Sequence, residues 1–297
     1  MEPSYWRAED PEGVVSLVEG YNHLESAEHI FARRVNDTCA RPIRLWYEAL
    51  NIYRLAMQSQ QVTRKDIDPR IVPLRIQLQA QGVASAKAAL DMLSVGYYNV
   101  AFAAIRQLMD IHIQCYYLLI RPEDARFWAT ALDDASIVAN PPSCRSMVTD
   151  LKRFAARNGD DVQFPTEASW QHLYDRWNAL GSWTFAPAME AEVGAFSGRS
   201  STVESGPRHD SALVQMGFFY GLVTLDSLFA MLSEDGRLTG EGRDHHARYH
   251  DELDAWTASL RDELLDAGDG ETSDSGDDGT AISPPEYSRN PFPRNDP

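Results

Sequence analysis

The chain has 297 residues, of which 43% are hydrophobic and 24% are charged, and this composition is typical of a globular protein with a sizeable core. Its 27 lysines and arginines are outnumbered by 44 aspartates and glutamates, which gives a net charge of −17. This balance excludes a protein that coats nucleic acid through a uniformly basic surface. The three cysteines, Cys39, Cys115 and Cys144, are too few and too scattered for a disulfide scaffold or a zinc ribbon.

The charge is distributed unevenly along the chain. Residues 33–75 carry nine cations against four acids, whereas residues 241–280 carry thirteen acids against three arginines. The basic segment predicts a local surface for RNA or phosphate. Its candidate binding residues are Arg33, Arg34, Arg41 and Arg44. Residues 266–297 combine acids and prolines with few large apolar side chains, and we therefore predict a disordered acidic tail there.

The spacing of apolar residues predicts helices along the whole chain, without the alternating pattern of strands. In chain order, the predicted helices span residues 14–30, 43–57, 74–95, 97–120, 123–139, 143–157, 167–180, 210–232 and 241–265. Pro42 stands at a position that is favourable for the start of the second helix. We expect an all-α protein with an N-terminal arm at residues 1–13, one helical domain over residues 14–265, and the acidic tail.

One predicted helix has the length of a membrane span. Residues 211–232 contain a single charged side chain, Asp226. An aspartate near the centre of a span costs about 2.5–3.5 kcal/mol, so we expect a helix buried in a bundle and no membrane partner. Residues 1–13 carry four acids and no apolar run, and the chain is therefore predicted to lack a secretory signal and to be cytoplasmic.

The most informative segment is the predicted helix pair over residues 74–120, in which residues 74–95 lie against residues 97–120. Alanines on both helices permit a close approach, and Gly96 provides the turn between them. On the second helix, Arg106 and Asp110 are four residues apart and can pair, whereas His112 falls in an apolar stripe.

Residues 85–128 also carry a family pattern. Its matching residues are Ala101, Arg106, Leu108, Asp110, Tyr116, Tyr117, Pro122, Glu123, Ala125 and Phe127. On these residues the segment resembles an uncharacterised bacterial all-helical family that is grouped with HEPN-like folds. The resemblance implies a HEPN-like bundle with additional N- and C-terminal helices. It also implies the Arg and His pair of HEPN ribonucleases, in which the arginine contacts phosphate and the histidine acts as acid or base on the ribose 2′-hydroxyl.

Arg106 and His112 would fill these two roles, with Asp110 orienting Arg106. However, six helical residues place Arg106 and His112 about 120° apart, so the alternative is a core histidine beside an Arg–Asp pair that ties helices together. Two functional hypotheses follow. The first is a non-catalytic interaction or regulatory protein whose partner is another protein or a second copy of the chain. The second is a metal-independent endoribonuclease of a toxin or defence system, with RNA bound on residues 33–75 and the acidic tail restraining it by covering this basic region.

Two further clusters have alternative interpretations. His246 and His250 are four residues apart, which is a metal-ligand spacing, but the polar helix around them favours a solvated face. Trp170, Tyr174 and Trp177 share a helical face, which predicts core packing, with a ligand pocket as the alternative. The motifs of phosphate loops, dinucleotide sites and zinc proteases are missing from the sequence, and we expect no cofactor.

Overall fold

The all-α class predicted from the sequence is confirmed. The computed structural model describes residues 25–26, 28–58, 67–128, 142–158, 164–185 and 211–269. Every regular element within these residues is a helix, and they contain no strand. The predicted N-terminal arm, most of the first predicted helix and the predicted tail beyond Asp269 lie outside the described residues.

Eight α-helices of eleven or more residues are assigned in the described part of the chain. Residues 28–38 form α1. The others are α2 (Ala40–Gln58), α3 (Val72–Val95), α4 (Tyr98–Ile120), α5 (Cys144–Asn158), α6 (Glu167–Phe185), α7 (Ser211–Glu234) and α8 (Glu241–Asp269). A short 3-10 helix, Pro122–Ala125, lies where the sequence predicted the first turn of a helix over residues 123–139. Residues 126–128 are α-helical, and residues 129–139 lie outside the described residues. Helix α8 continues to Asp269 and so enters the segment for which the sequence predicts disorder.

Helices α1 and α2 follow one another with a break only at Cys39. The Cys39 amide donates to the Val35 carbonyl at 2.7 Å, and the Ile43 amide donates to the Cys39 carbonyl at 3.0 Å. Helical hydrogen bonds therefore continue on both sides of the break. Pro42 has no amide hydrogen for the carbonyl four residues earlier, which accounts for the interruption. The outward side chains of α1 and α2 consequently follow one helical face.

Helix α4 is the centre of the bundle. It contacts α3, α5, α6 and α7. The turn from α3 to α4 uses Gly96, whose φ of 85° is a left-handed conformation that favours glycine. The Tyr97 amide donates to the Met92 carbonyl at 2.9 Å and closes the end of α3. The predicted antiparallel pair thus forms the core of the protein.

Helix α7 packs against α2, α3 and α4. Gly221 permits its close approach to α2, because a Cβ atom at this position would lie 2.1 Å from Cη2 of the buried Trp46. The Trp46 indole nitrogen in turn donates to the Ala86 carbonyl of α3 at 3.0 Å. Among the described residues, one segment, Leu213–Glu234, is long and apolar enough to cross a membrane, and 61% of its most apolar window is buried in the protein.

The chain divides into two compact units, Met1–Leu253 and Asp254–Pro297, and the boundary falls within α8. Helices α1 to α7 and the first half of α8 belong to the first unit. In the second unit, the described residues continue α8 to Asp269. The single domain over residues 14–265 stays a prediction.

Candidate functional site

Arg106 and Asp110 of α4 meet on the side chain of Trp177 in α6. The guanidinium carbon of Arg106 lies 3.6 Å from the centroid of the Trp177 ring, a cation–π contact. The Trp177 indole nitrogen donates to Asp110 Oδ1 at 2.8 Å. Gly181, one turn further along α6, leaves room for the guanidinium, because a Cβ there would lie 3.0 Å from Arg106 Nη1. The two predicted partners are thus joined through an indole.

The carboxyl group of Asp110 is mostly buried in this contact. Burial raises its pKa, while the Trp177 hydrogen bond and the Arg106 charge act in the opposite direction. Cys144 of α5 also faces Asp110, and burial together with this carboxylate raises the pKa of the Cys144 thiol to about 12. A thiol with such a pKa is protonated at neutral pH and is a poor nucleophile.

His112 lies in a different environment from Arg106. Its side chain is 5% exposed, and its ring packs between Tyr116 at 5.1 Å and Trp170 at 5.7 Å between ring centroids. Within the part of the chain that the structure describes, its Nδ1 atom has no hydrogen-bond partner. Burial lowers the pKa of His112 to about 3, so the imidazole is neutral at physiological pH.

The two aromatic contacts on α6 separate the predicted catalytic residues. Trp170, which contacts His112, and Trp177, which contacts Arg106, are seven residues apart in one helix, or about 10 Å along its axis. The structure therefore brings Arg106 and Asp110 together and places His112 in a separate aromatic cluster. Trp170 is buried as core, whereas Tyr174 stacks on the half-buried Trp177 at 5.9 Å.

The four candidate phosphate-binding arginines are all exposed on α1 and α2. Arg33 and Arg34 project from α1, and Arg41 and Arg44 project from α2. Arg44 Nη2 pairs with Glu252 Oε2 at 3.0 Å. Arg41 Nη2 donates to the backbone carbonyl of Glu252 at 3.4 Å. The two arginines of α2 therefore contact the first half of α8.

Other cations of the basic segment are already used within the protein. Arg70 forms hydrogen bonds to the carboxylate of Asp68, and they lower the pKa of Asp68 to about 2. Arg75 is buried and pairs with Asp235. Apart from Arg70, the exposed arginines described for residues 33–75 lie on α1 and α2, and Arg64 and Lys65 lie outside the described residues.

Two apolar side chains that the sequence analysis did not single out lie on the same helices. Tyr47 is 58% exposed and Ile30 is 55% exposed, and they are the two most exposed large hydrophobic residues among those described. The adjacent Trp46 is fully buried. The helical period could have predicted the exposure of Tyr47. Its side chain is turned about 100° from that of Trp46 and lies on the same helical face as the arginines.

His246 and His250 of α8 share the carboxylate of Asp226 in α7. His246 Nε2 lies 3.1 Å from Asp226 Oδ1, and His250 Nδ1 lies 3.0 Å from Asp226 Oδ2. Burial raises the pKa of Asp226, but the hydrogen bonds from the two histidines outweigh it and lower the pKa. Among the described residues, no group of three or more His, Cys, Asp or Glu side chains is arranged to hold a metal ion.

No family model, curated protein or solved structure matches the chain. The HEPN-like resemblance of residues 85–128 accordingly stays a prediction.

Proposed function

We propose that the protein is a non-catalytic helical interaction protein that binds a partner on the outward side of α1 and α2. We call this surface the α1–α2 face. It consists of Ile30, Arg33, Arg34, Arg41, Arg44, Tyr47 and Arg54, all of them exposed. The observation that carries the proposal is the exposure of Tyr47 and Ile30 among arginines, because tyrosine and arginine are enriched where proteins bind one another.

The arrangement of the α1–α2 face supports a binding role. At 100° per residue, the seven positions of the face fall within about 160° of the helix circumference, and positions 33, 44, 47 and 54 fall within about 80°. Ile30 also lines a surface pocket of about 380 Å³ together with Glu25, Ser26, His29 and Arg33. An apolar side chain beside a pocket and an exposed aromatic ring among cations provide anchors for a partner.

The surroundings of Arg106 and His112 support a packing role for these side chains rather than a catalytic role. His112 is enclosed by Tyr116 and Trp170, and Arg106 is stacked on Trp177. A general acid or base must come within hydrogen-bond distance of the proton that it transfers, and His112 is nearly inaccessible. Ribonuclease activity is therefore the competing hypothesis, which an RNA-cleavage assay tests.

The first test compares variants of the α1–α2 face in co-purification from the cells that make the protein. Tyr47→Glu and Ile30→Glu are expected to abolish recovery of a partner that the unaltered chain retains in stoichiometric amount. Val100→Glu is the matched control, because Val100 is also an exposed apolar side chain but lies on α4. Equal recovery by all four proteins would contradict the proposal.

The second test concerns the ribonuclease alternative. The purified full chain and its His112→Ala variant are incubated with a mixed RNA pool without added metal. We expect no cleavage by either protein. Cleavage that the unaltered chain performs and His112→Ala loses would refute the non-catalytic proposal and identify His112 as a catalytic residue.

A further inference from the structure

We propose that the partner of the α1–α2 face is an acidic polypeptide segment that also carries large apolar side chains. This inference rests on the proposed function and specifies the chemistry of the partner. It is argued from the charge, the dimensions and the apolar anchors of the face.

The face carries five arginines and one exposed acid, Asp37, which lies four residues from both Arg33 and Arg41. Its positive charge is only partly compensated within the protein. Among the described residues, Arg44 alone of its five arginines pairs with a carboxylate, that of Glu252. Arg41 donates to a backbone carbonyl, and Arg54 donates to the neutral amide oxygen of Asn51 at 2.8 Å. Arg33 and Arg34 form no ion pair with the described residues. The face therefore retains donors for carboxylates of a partner.

The charge disfavours a symmetric contact between two copies through this face. An isologous interface brings the same patch to both sides, which places ten arginines in one contact. Like charges brought together in an interface cost free energy. We therefore assign the face to a partner surface of opposite sign.

The apolar anchors favour a polypeptide over a nucleic acid. An aromatic ring such as Tyr47 can stack on a base or pack against an apolar side chain. An aliphatic side chain such as Ile30 is buried best by apolar side chains of a protein partner. The net charge of −17 in addition repels a long polyanion more strongly than a short acidic segment.

The dimensions of the face set the size of the partner segment. Positions 33 and 54 lie about 31 Å apart along the helical path, and the anchors at positions 30 and 47 lie about 25 Å apart. A helix of about twenty residues covers this length. An extended segment of about ten residues does so as well.

The test measures binding to the full chain by fluorescence anisotropy. The probe is a labelled synthetic peptide of about twenty residues, rich in glutamate and with interspersed leucines, which matches the length of the face. The comparison probes are the same peptide with glutamine in place of glutamate and a labelled oligouridylate. We expect the acidic peptide to bind at least about tenfold more tightly than either comparison probe, and its affinity to fall as the salt concentration rises.

Charge reversal on the face is the second arm of the test. Arg33→Glu combined with Arg44→Glu is expected to weaken the acidic peptide about tenfold or more, and Tyr47→Ser is expected to weaken it severalfold. The matched controls are Arg145→Glu and Val100→Ser, which change an exposed cation on α5 and an exposed apolar residue on α4. Circular dichroism verifies that each variant is folded. The salt dependence of the unaltered chain provides a measurement that needs no variant.

Several outcomes would overturn the inference. Tighter binding of oligouridylate would assign the face to nucleic acid, and equal binding of the glutamine peptide would show that carboxylates are not recognised. If the acidic peptide does not bind while co-purification still depends on Tyr47 and Ile30, the acidic partner is rejected and the proposed function is retained. Failure of both experiments would reject the proposed function itself.

Discussion

Arg75 and Arg44 form ion pairs of similar length in opposite surroundings. Arg75 Nη2 lies 2.8 Å from Asp235 Oδ2, and the two side chains are 3% and 4% exposed. Arg44 Nη2 lies 3.0 Å from Glu252 Oε2, and those side chains are 70% and 51% exposed. Removal of one partner costs about 3–5 kcal/mol in a buried pair but about 0–1 kcal/mol in an exposed one. Burial, rather than distance, therefore decides what each arginine contributes.

The buried pair belongs to a polar cluster that holds the turn between α7 and α8 against α3. Arg237 of the turn donates to Gln79 of α3, and Arg75 of α3 donates to Asp235 of the turn. All four side chains are buried. Among the described residues, the Nε and Nη1 atoms of Arg75 have no hydrogen-bond partner, so the carboxylate of Asp235 carries much of the compensation for this buried charge. The arginines of the α1–α2 face, by contrast, remain hydrated.

The largest expected effect breaks the buried pair. Asp235→Leu removes the carboxylate from Arg75 and is expected to lower the free energy of unfolding by about 3–5 kcal/mol, because it leaves a buried charge uncompensated. Urea denaturation followed by circular dichroism measures the loss.

Glu252→Leu is the control for this prediction, because it removes the carboxylate of the exposed pair and is expected to cost less than about 1 kcal/mol. Equal losses from Asp235→Leu and Glu252→Leu would refute the comparison. The double variant Arg75→Met, Asp235→Leu is expected to be more stable than Asp235→Leu alone, since it removes the buried charge as well.

The second prediction extends the comparison to a buried histidine. The pKa of His112 falls to about 3 in the folded protein, from about 6.5 in an unfolded chain, so the folded state favours the neutral ring. This contribution to stability is fully present above pH 6.5 and is lost as the pH falls toward 3. It amounts to about 3 kcal/mol between pH 7 and pH 4.

His112→Phe removes the titrating ring and is expected to flatten the acid dependence of the unfolding free energy by about that amount. The measurement is urea denaturation at several pH values. Parallel curves for the unaltered chain and His112→Phe would show that His112 charges as freely when folded as when unfolded.

The third prediction concerns the buried side of α2, opposite the α1–α2 face. Gly221→Ala places a methyl group 2.1 Å from Trp46 Cη2, and the buried indole is held by its hydrogen bond to Ala86. We expect a loss of about 1–3 kcal/mol, as for overpacked cores. Thermal denaturation measures it.

Gly181→Ala is the matched change for Gly221→Ala. Its nearest neighbour, at 3.0 Å, is the guanidinium of Arg106, the end of a flexible side chain that can shift. We expect a smaller loss for this variant. A larger loss at Gly181 than at Gly221 would show that the guanidinium is held more rigidly than the Trp46 indole.

The smallest expected effect is on the exposed pair. Arg44→Ala is expected to change the free energy of unfolding by less than about 1 kcal/mol, and less still at high salt, because both side chains are solvated. The same variant is nevertheless expected to weaken the acidic peptide, because binding removes water from the face. A large stability loss would place Arg44 among the structural arginines.

Local signals in the sequence predicted most of the described helices, but residues 31–38 of α1 and the start of α2 fall between two predicted helices. The glycine between two apolar runs predicted the turn at Gly96, and the structure has a left-handed residue there. The apolar stripe around His112 correctly indicated a buried position for this side chain. The helical spacing of Trp170 correctly indicated that its side chain packs in the core. These features depend on the helical period alone, which the sequence contains.

Contacts between distant residues could not be predicted in the same way. The sequence favoured a direct pair of Arg106 with Asp110, but both contact Trp177, which lies 67 residues beyond Asp110. Arg75 was counted with the basic segment, although it is buried in the structure. Its partner, Asp235, lies 160 residues further along the chain. A charge count cannot separate an arginine of the core from an arginine of the surface, because this distinction arises only when the helices pack.

The carboxylate of Asp226 orients two neighbouring histidine rings in opposite senses. His246 presents Nε2 to this carboxylate, and His250 presents Nδ1. The other ring nitrogen is therefore turned away from Asp226, and it is Nδ1 in His246 but Nε2 in His250. One aspartate thereby gives two identical side chains, a single helical turn apart, different nitrogens to offer to their surroundings.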